Sequence, residues 1–172
     1  RVHQALTFLD NDYNQHNIFF IWDCLTDYIN NDNYYYPEGV GDSLIFNVNR
    51  HNNGIDIYLF PDAPPDHLTG GGLAEGIGAT AFFVAGNLSP LSAAPPPYVP
   101  LIPSSVMSHE MGHCLNLWHT WEGPNNCQEY VDGTNCEVCG DLICDSPAEP
   151  LGGIAYYIDY ETCTWLGSGL DP

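Results

Sequence analysis

The segment HEMGHCLNLWH, residues 109 to 119, places three histidines and one glutamate at a spacing that suits a metal centre. His109 and His113 lie four residues apart, so on an α-helix their imidazoles face the same side and can share one Zn²⁺. Glu110 is rotated by about 100° from His109, too far round for a third ligand. It lies close enough to take a proton from a water on the metal, as in hydrolases with an HExxH motif.

His119 can supply a third imidazole only if the chain turns sharply after the helix. On a continuous helix its side chain would point about 120° away from that of His113. Asn116 lies between the two histidines, and after glycine asparagine most readily adopts the left-handed conformation that ends a helix. The sequence therefore predicts three histidine ligands and one open position for water, as in catalytic zinc sites. The competing interpretation, an amphipathic helix with core histidines, leaves the third histidine unexplained.

Length and charge limit the class of protein. The chain has 172 residues, 44% of them hydrophobic, and a formal net charge of −20 from 22 acidic and 2 basic side chains. Its size predicts one folded domain, and its charge repels phosphate backbones, which argues against nucleic acid as a partner. The acidity either attracts divalent cations or basic peptides, or serves only solubility. No apolar run reaches about 18 residues, so no membrane span is predicted. The start at Arg1 without a signal peptide suggests a processed or excised fragment.

Five of the seven cysteines lie at or beyond residue 127, among glycines and aspartates. This clustering predicts disulfides in a loop-rich segment and an oxidising, extracellular location. The CxxC of Cys136 and Cys139 raises the alternatives of a second metal site or a redox motif, but neither a second CxxC nor a βαβ pattern accompanies it. The odd number leaves at least one free thiol, and Cys114 is expected to be a small buried core residue.

The elements that position the metal segment are expected to be strands followed by one helix. Residues 2–9 form either a short helix or an extended lead-in. Apolar runs predict strands at residues 18–24, 43–49, 55–61 and 79–86. A helix is predicted to begin at Ser104 or Ser105, where a serine can cap it, and to end near Asn116. Loops are predicted beyond it.

These segments resemble the metzincin metallopeptidases, and among them the pappalysin family, which includes ulilysin-like bacterial enzymes. HEMGHCLNLWHTW is similar to the extended zinc motif HExxHxxGxxH, and CGDLICDSPAEP at 139–150 is similar to the family's CxxGDxxxDTPA. HNIFFIWDC and HNNGIDIYLFPD are also similar to segments of that family, so the resemblance covers most of the chain. The chain departs from the motif at Asn116, where the family has glycine.

The resemblance implies an α+β fold in a single catalytic domain, residues 1–172. The upper subdomain, about residues 1–119, would contain a twisted mixed sheet and a long active-site helix. The lower subdomain, about residues 120–172, would be irregular and stapled by disulfides. The disulfide pairs Cys127–Cys144 and Cys136–Cys163 are expected from the resemblance alone.

The resemblance also assigns roles near the zinc motif. By position, His109, His113 and His119 correspond to the ligands of one catalytic Zn²⁺, and Glu110 corresponds to the general base. Tyr160 matches a tyrosine that stabilises the oxyanion, or is a plain core residue.

Two further expectations concern the lower subdomain. Ile158 stands where the family has a methionine in a tight turn beneath the metal, and an isoleucine can fill that apolar volume with some repacking. The family commonly binds Ca²⁺ there. Asp132, Asp141 and Asp145 offer hard oxygen ligands in loops, or are simply turn-forming residues.

The function predicted from the motif and the resemblance is a secreted zinc endopeptidase that hydrolyses peptide bonds in protein or peptide substrates. An acidic cleft would favour substrates with basic side chains. The alternative is a catalytically weak or inactive zinc- and calcium-binding extracellular module, which the isoleucine at 158 favours. A calcium-dependent carbohydrate-binding protein is a third possibility, but it leaves the histidines unexplained.

Overall fold

The computed structural model describes residues 2–23, 26–34, 42–60, 71–85, 104–153, 157–159, 161–162 and 164–166. Its elements are, in chain order, α1 (Val2–Asn14), a 3-10 turn (Asp32–Tyr34), α2 (Asp42–Ile45), β1 (Asp56–Phe60), β2 (Gly72–Ala74), β3 (Ala81–Ala85), α3 (Ser104–Cys114), β4 (Ile158–Asp159) and β5 (Thr164–Trp165). The chain divides into two compact units, Arg1–Asn116 and Leu117–Pro172. The subdomain bounds implied by the resemblance, about residues 1–119 and 120–172, stay predictions.

A mixed three-stranded sheet in the order β1-β3-β2 forms the centre of the first unit. Strand β3 runs parallel to β1 and antiparallel to β2, and all five of its residues are buried. Its side chains alternate between two hydrophobic clusters, with Phe82 and Val84 in one and Phe83 in the other. This alternation is the period of two that a strand imposes. The expected α+β class and mixed sheet are confirmed.

Helices α1 and α3 cover one face of this sheet. Ala5 and Leu9 of α1 pack with Met107 and Met111 of α3 against the β3 side chains on that face. Tyr13 joins the two helices, because its hydroxyl donates to the Ser108 carbonyl at 2.7 Å. The Ser108 hydroxyl also donates to the Asp12 carboxylate. Residues 2–9 are therefore helical, and this helix extends further than the sequence predicted.

The other face of the sheet is covered by aromatic and aliphatic side chains. Ile45, Phe46, Tyr58, Phe60, Ala81, Phe83 and Ala85 form this second cluster. The strand predicted at 43–49 is wrong: the segment forms α2 and then turns, with Val48 N–H donating to the Ile45 carbonyl at 2.9 Å. The guanidinium of Arg50 donates to the Phe46 carbonyl at 3.1 Å and to Glu75 at 2.8 Å. Ile45 and Phe46 are thus buried in one helical turn, whereas Leu44 is 56% exposed. A short apolar run in the sequence does not distinguish such a turn from a strand.

Two other segments also differ from the prediction. Residues 18–23 form no regular secondary structure, and their large side chains are mostly exposed, Ile21 being 97% exposed. A strand there would need a partner ladder and a buried face, and the described residues supply neither. Strand β2 lies in a glycine-rich segment for which the sequence predicted no strand, and there sheet pairing with β3 outweighs the low strand preference of glycine. The strands predicted at 55–61 and 79–86 are confirmed as β1 and β3.

The second unit, Leu117–Pro172, is mostly loops and turns, as expected. Its described regular structure is the short antiparallel pair of β4 and β5. Two disulfides, Cys127–Cys139 and Cys136–Cys144, cross-link residues 127–144.

Both disulfide pairings expected from the resemblance are wrong in this structure. Cys144 pairs with Cys136 rather than Cys127, so Cys136 is not available to Cys163, which lies outside the described residues. The reason is local turn geometry. Gly140 N–H donates to the Cys127 carbonyl at 3.1 Å, and this bond holds the neighbouring Cys139 beside Cys127.

None of the helices in the described part of the chain is both long and apolar enough to cross a membrane. The two disulfides fit an extracellular protein.

Candidate metal centre

Helix α3 holds the first two histidines side by side. His109 and His113 lie one helical turn apart, and their rings meet edge to face with centroids 4.7 Å apart. The two Nε2 atoms face each other at 3.1 Å. Two nitrogens bound at about 2.0–2.1 Å to one tetrahedral ion lie about 3.3 Å apart. The pair therefore already has nearly the separation that a shared metal ion requires.

The turn that ends α3 forms at the predicted residue. Asn116 has a φ of 74°, in the left-handed region that its short polar side chain tolerates. Its N–H donates to the His113 carbonyl at 2.9 Å, and the Gly78 N–H donates to the same carbonyl at 2.7 Å. The helix end is thus satisfied by backbone donors from two directions, and the expectation for Asn116 is confirmed.

His119 joins the other two histidines beyond this turn. One ligand atom from each of His109, His113 and His119 lies within 4.8 Å of the others, and no other set of three or more His, Cys, Asp or Glu forms such a group in the described part of the chain. Three imidazole nitrogens form a donor set that first-row divalent metals bind well. These three histidines could hold a metal ion.

The His119 ring has two neighbours from its own turn. Its Nδ1 lies 3.0 Å from the Glu122 Oε2, and its ring stacks on Trp121 with centroids 4.5 Å apart and an interplanar angle of 6°. The Glu122 N–H donates to the His119 carbonyl at 3.0 Å, which closes the turn. Thr120, between them, donates from its hydroxyl to Glu149 at 2.7 Å.

Glu110, the predicted general base, is 6% exposed. It lies against the edge strand β2, close to the Gly72 backbone. A Cβ at position 72 would come within 2.7 Å of the Glu110 Cγ and 2.9 Å of its Oε1. The absence of a side chain at Gly72 is therefore what gives the Glu110 carboxylate its place.

Cys114 is the free cysteine of the described residues, and it is half-buried beside the first hydrophobic cluster. Its Sγ lies 3.7 Å from the Ala81 carbonyl. Burial, followed by the negative charge of Glu110, raises the pKa of the Cys114 thiol to about 11. A protonated thiol is a poor nucleophile, so this cysteine serves packing, although it is half-buried rather than buried as the sequence predicted.

The residues expected beneath the metal are only partly described. Ile158 lies on β4, half-buried and opposite Trp165 of β5. Tyr160 lies outside the described residues. Their roles as apolar floor and oxyanion donor stay predictions.

The structure does not bring the three predicted calcium ligands together as one group. Asp132 accepts from the Thr134 N–H and hydroxyl, and these bonds lower the pKa of its carboxyl. Asp141 is buried and accepts from the Ile143 N–H and the Ser146 hydroxyl. Asp145 is exposed. Asp132 and Asp141 are thus used as turn-forming residues, the alternative left open by the sequence.

Glu129 is a buried acid beside Asp141 that the sequence did not single out. Glu129 is 2% exposed and its Oε2 has no hydrogen-bond partner. Burial, with a contribution from the Asp141 charge, raises the pKa of the Glu129 carboxyl. No local pattern marks this residue, because its burial depends on the disulfide-linked loop folding over it.

No protein-family model, no curated protein and no solved structure matches this chain. The geometry of the site is therefore the basis for inferring its function. That geometry adds Glu122 and Gly72 to the residues singled out from the sequence. The only signal in the sequence for Glu122 is its position three residues after His119, because a single turn brings residues at that spacing together.

Proposed function

We propose that this protein is a zinc-dependent endopeptidase of metzincin type, with His109, His113 and His119 as the metal ligands. The observation that carries the proposal is the convergence of these three imidazoles within 4.8 Å. Three nitrogen ligands leave one position of a tetrahedral ion open, which is the arrangement of catalytic rather than structural zinc.

Glu110 is the general base in this proposal. A zinc ion held by the three histidines would lower the pKa of a bound water toward ~7 and would polarise a substrate carbonyl. Glu110 directly follows a ligand on α3, so its carboxylate can accept a proton from the attacking water and deliver it to the leaving amine. Its burial against β2 reduces its freedom to rotate and removes competing water from one side.

The burial of Glu110 also supports a second candidate, a zinc-binding module without turnover. A carboxylate only 6% exposed can serve packing beside the metal instead of catalysis. Under this alternative the three histidines bind zinc, and hydrolysis is absent or does not depend on Glu110.

The deciding experiment combines metal analysis with a casein-hydrolysis assay. We expect about one zinc per chain, hydrolysis that a chelator abolishes, and a loss of about 100-fold or more in Glu110→Ala. Glu137→Ala, which removes an exposed acid, is the matched control and should keep full activity. Zinc binding with no hydrolysis, or with only equal residual hydrolysis by wild type and Glu110→Ala, would favour the module without turnover.

Secretion is part of the proposal, because disulfides persist in oxidising compartments.

Calcium binding in the second unit, expected from the resemblance, remains a proposal as well. Calcium titration followed by thermal unfolding tests it, since a bound ion raises the midpoint by an amount that grows with the logarithm of its concentration relative to Kd.

A further inference from the structure

The turn from His119 to Glu122 surrounds the third imidazole with groups that restrict its orientation. The Glu122 carboxylate lies 3.0 Å from Nδ1, the Trp121 indole lies parallel to the ring, and the Glu122 N–H closes the turn on the His119 carbonyl. Each contact comes from a residue within three positions of His119. The ring is therefore oriented by its own turn.

The carboxylate determines which ring nitrogen of His119 carries the proton. An ionised carboxylate can only accept a hydrogen bond, so Nδ1 must be the donor. In a neutral imidazole the other nitrogen, Nε2, then has a free lone pair. A lone pair on Nε2 is what a metal ion needs from this residue, and a carboxylate on the opposite nitrogen also increases its basicity.

Trp121 supports the same orientation from the face of the ring. Its plane is within 6° of the His119 plane. The Gly153 backbone lies beside Trp121, since a Cβ at position 153 would come 3.3 Å from the indole Cδ2.

We propose that Glu122 is a positioning residue for the metal, which sets the tautomer and orientation of His119 while Trp121 serves as the platform for its ring. This inference rests on the metal site of the proposed function. It adds a carboxylate–histidine–metal arrangement that neither the spacing of the zinc motif nor the resemblance assigns.

The test measures zinc affinity by competition with a chromophoric chelator, which needs no enzymatic activity. Wild type, Glu122→Ala and Glu122→Gln are compared, and Glu137→Ala is the control for removal of an acidic charge. We expect zinc affinity to fall about 10- to 100-fold in Glu122→Ala. Glu122→Gln should recover part of the loss, because its amide oxygen can still accept from Nδ1. The Glu122 side chain is 58% exposed, so its removal leaves no buried cavity.

Cobalt substitution gives a second readout, since the visible absorption of Co²⁺ depends on ligand geometry. We expect its bands to shift in Glu122→Ala and to stay unchanged in Glu137→Ala. Equal zinc affinity and equal cobalt spectra in wild type and Glu122→Ala would overturn the inference and leave the metal site intact. Failure of the wild type to bind zinc would overturn both the proposed function and the positioning role of Glu122. Zinc binding without hydrolysis would overturn only the proposed peptidase activity.

Discussion

Gly72 on β2 lies so close to Glu110 on α3 that a methyl group at position 72 would come within 2.7 Å of the Glu110 Cγ. The same methyl would approach the Val106 Cγ1 at 2.8 Å. Strand and helix thus meet at a glycine, and the general base proposed above occupies the space that it leaves.

The first prediction is that Gly72→Ala displaces the Glu110 carboxylate. Overpacking of this kind costs about 1–3 kcal/mol of stability, and hydrolysis should fall while zinc binding is retained. Gly71→Ala is the matched control, because nothing lies within 4 Å of a Cβ at that position. Hydrolysis rates, chelator competition and thermal unfolding are the measurements. Full activity in Gly72→Ala would show that hydrolysis does not depend on the present position of the Glu110 carboxylate.

The second prediction concerns Gly123 in the unit Leu117–Pro172, where the close approach of another backbone segment requires a glycine. A Cβ at Gly123 would lie 1.7 Å from the Gly140 carbonyl oxygen, a backbone atom that cannot rotate away. We expect Gly123→Ala to lower the free energy of unfolding by about 1–3 kcal/mol or more. Gly54→Ala, which meets nothing within 4 Å, is the control. Neither glycine has a positive φ, so backbone strain does not contribute to either substitution. An unaltered denaturation midpoint in Gly123→Ala would therefore contradict the close approach to Gly140.

The disulfide pairing is the third prediction. Digestion of the unreduced protein followed by mass spectrometry should recover Cys127 linked to Cys139, and Cys136 linked to Cys144. The loops span 12 and 8 residues, so chain entropy predicts a loss of about 2–3 kcal/mol for each removed bond. Replacing both cysteines of one pair by serine tests this without leaving a reactive thiol. Recovery of a peptide linking Cys127 to Cys144 would refute the pairing.

The fourth prediction concerns pH. The hydrogen bond and charge of Asp56, with smaller contributions from Asp27 and Asp23, raise the pKa of His51 above its ordinary value of 6.5. A raised folded pKa means that this stabilisation is fully present below the unfolded pKa and is lost as pH rises through the folded pKa. Arg50 also faces Asp56, with Nε at 3.6 Å, and keeps its charge throughout.

The measurement compares the pH dependence of unfolding in wild type and His51→Gln. We expect the two curves to differ below pH about 6.5 and to converge at higher pH. An NMR titration of the His51 ring provides the folded pKa directly. A folded pKa at or below the ordinary value would contradict the prediction.

The fifth prediction is a preference for basic substrates. A net charge of −20 produces a negative potential that attracts cationic peptides. A cleavage profile on a peptide library should favour Lys or Arg near the scissile bond, and this preference should weaken with added salt. A profile without such a preference would show that the acidity serves another purpose.

Local periodicity made part of this protein predictable from its sequence. The four-residue spacing of His109 and His113 places both rings on one side of α3, and Asn116 can form a left-handed turn wherever the rest of the chain lies. Strands β1 and β3 followed from alternating or continuous apolar residues. In each case the information lies within a few neighbouring residues, because helix and strand geometry repeat over that distance.

Long-range packing decided the rest. The apolar run at 43–49 formed α2 and a bend because Arg50 and the second cluster stabilise that arrangement. The position of the Glu110 side chain depends on Gly72, a residue 38 positions earlier in the chain. The two residues come close only because β2 pairs with β3 in the sheet that α3 covers. Such relationships follow from which surfaces meet in three dimensions, and sequence spacing carries no information about that.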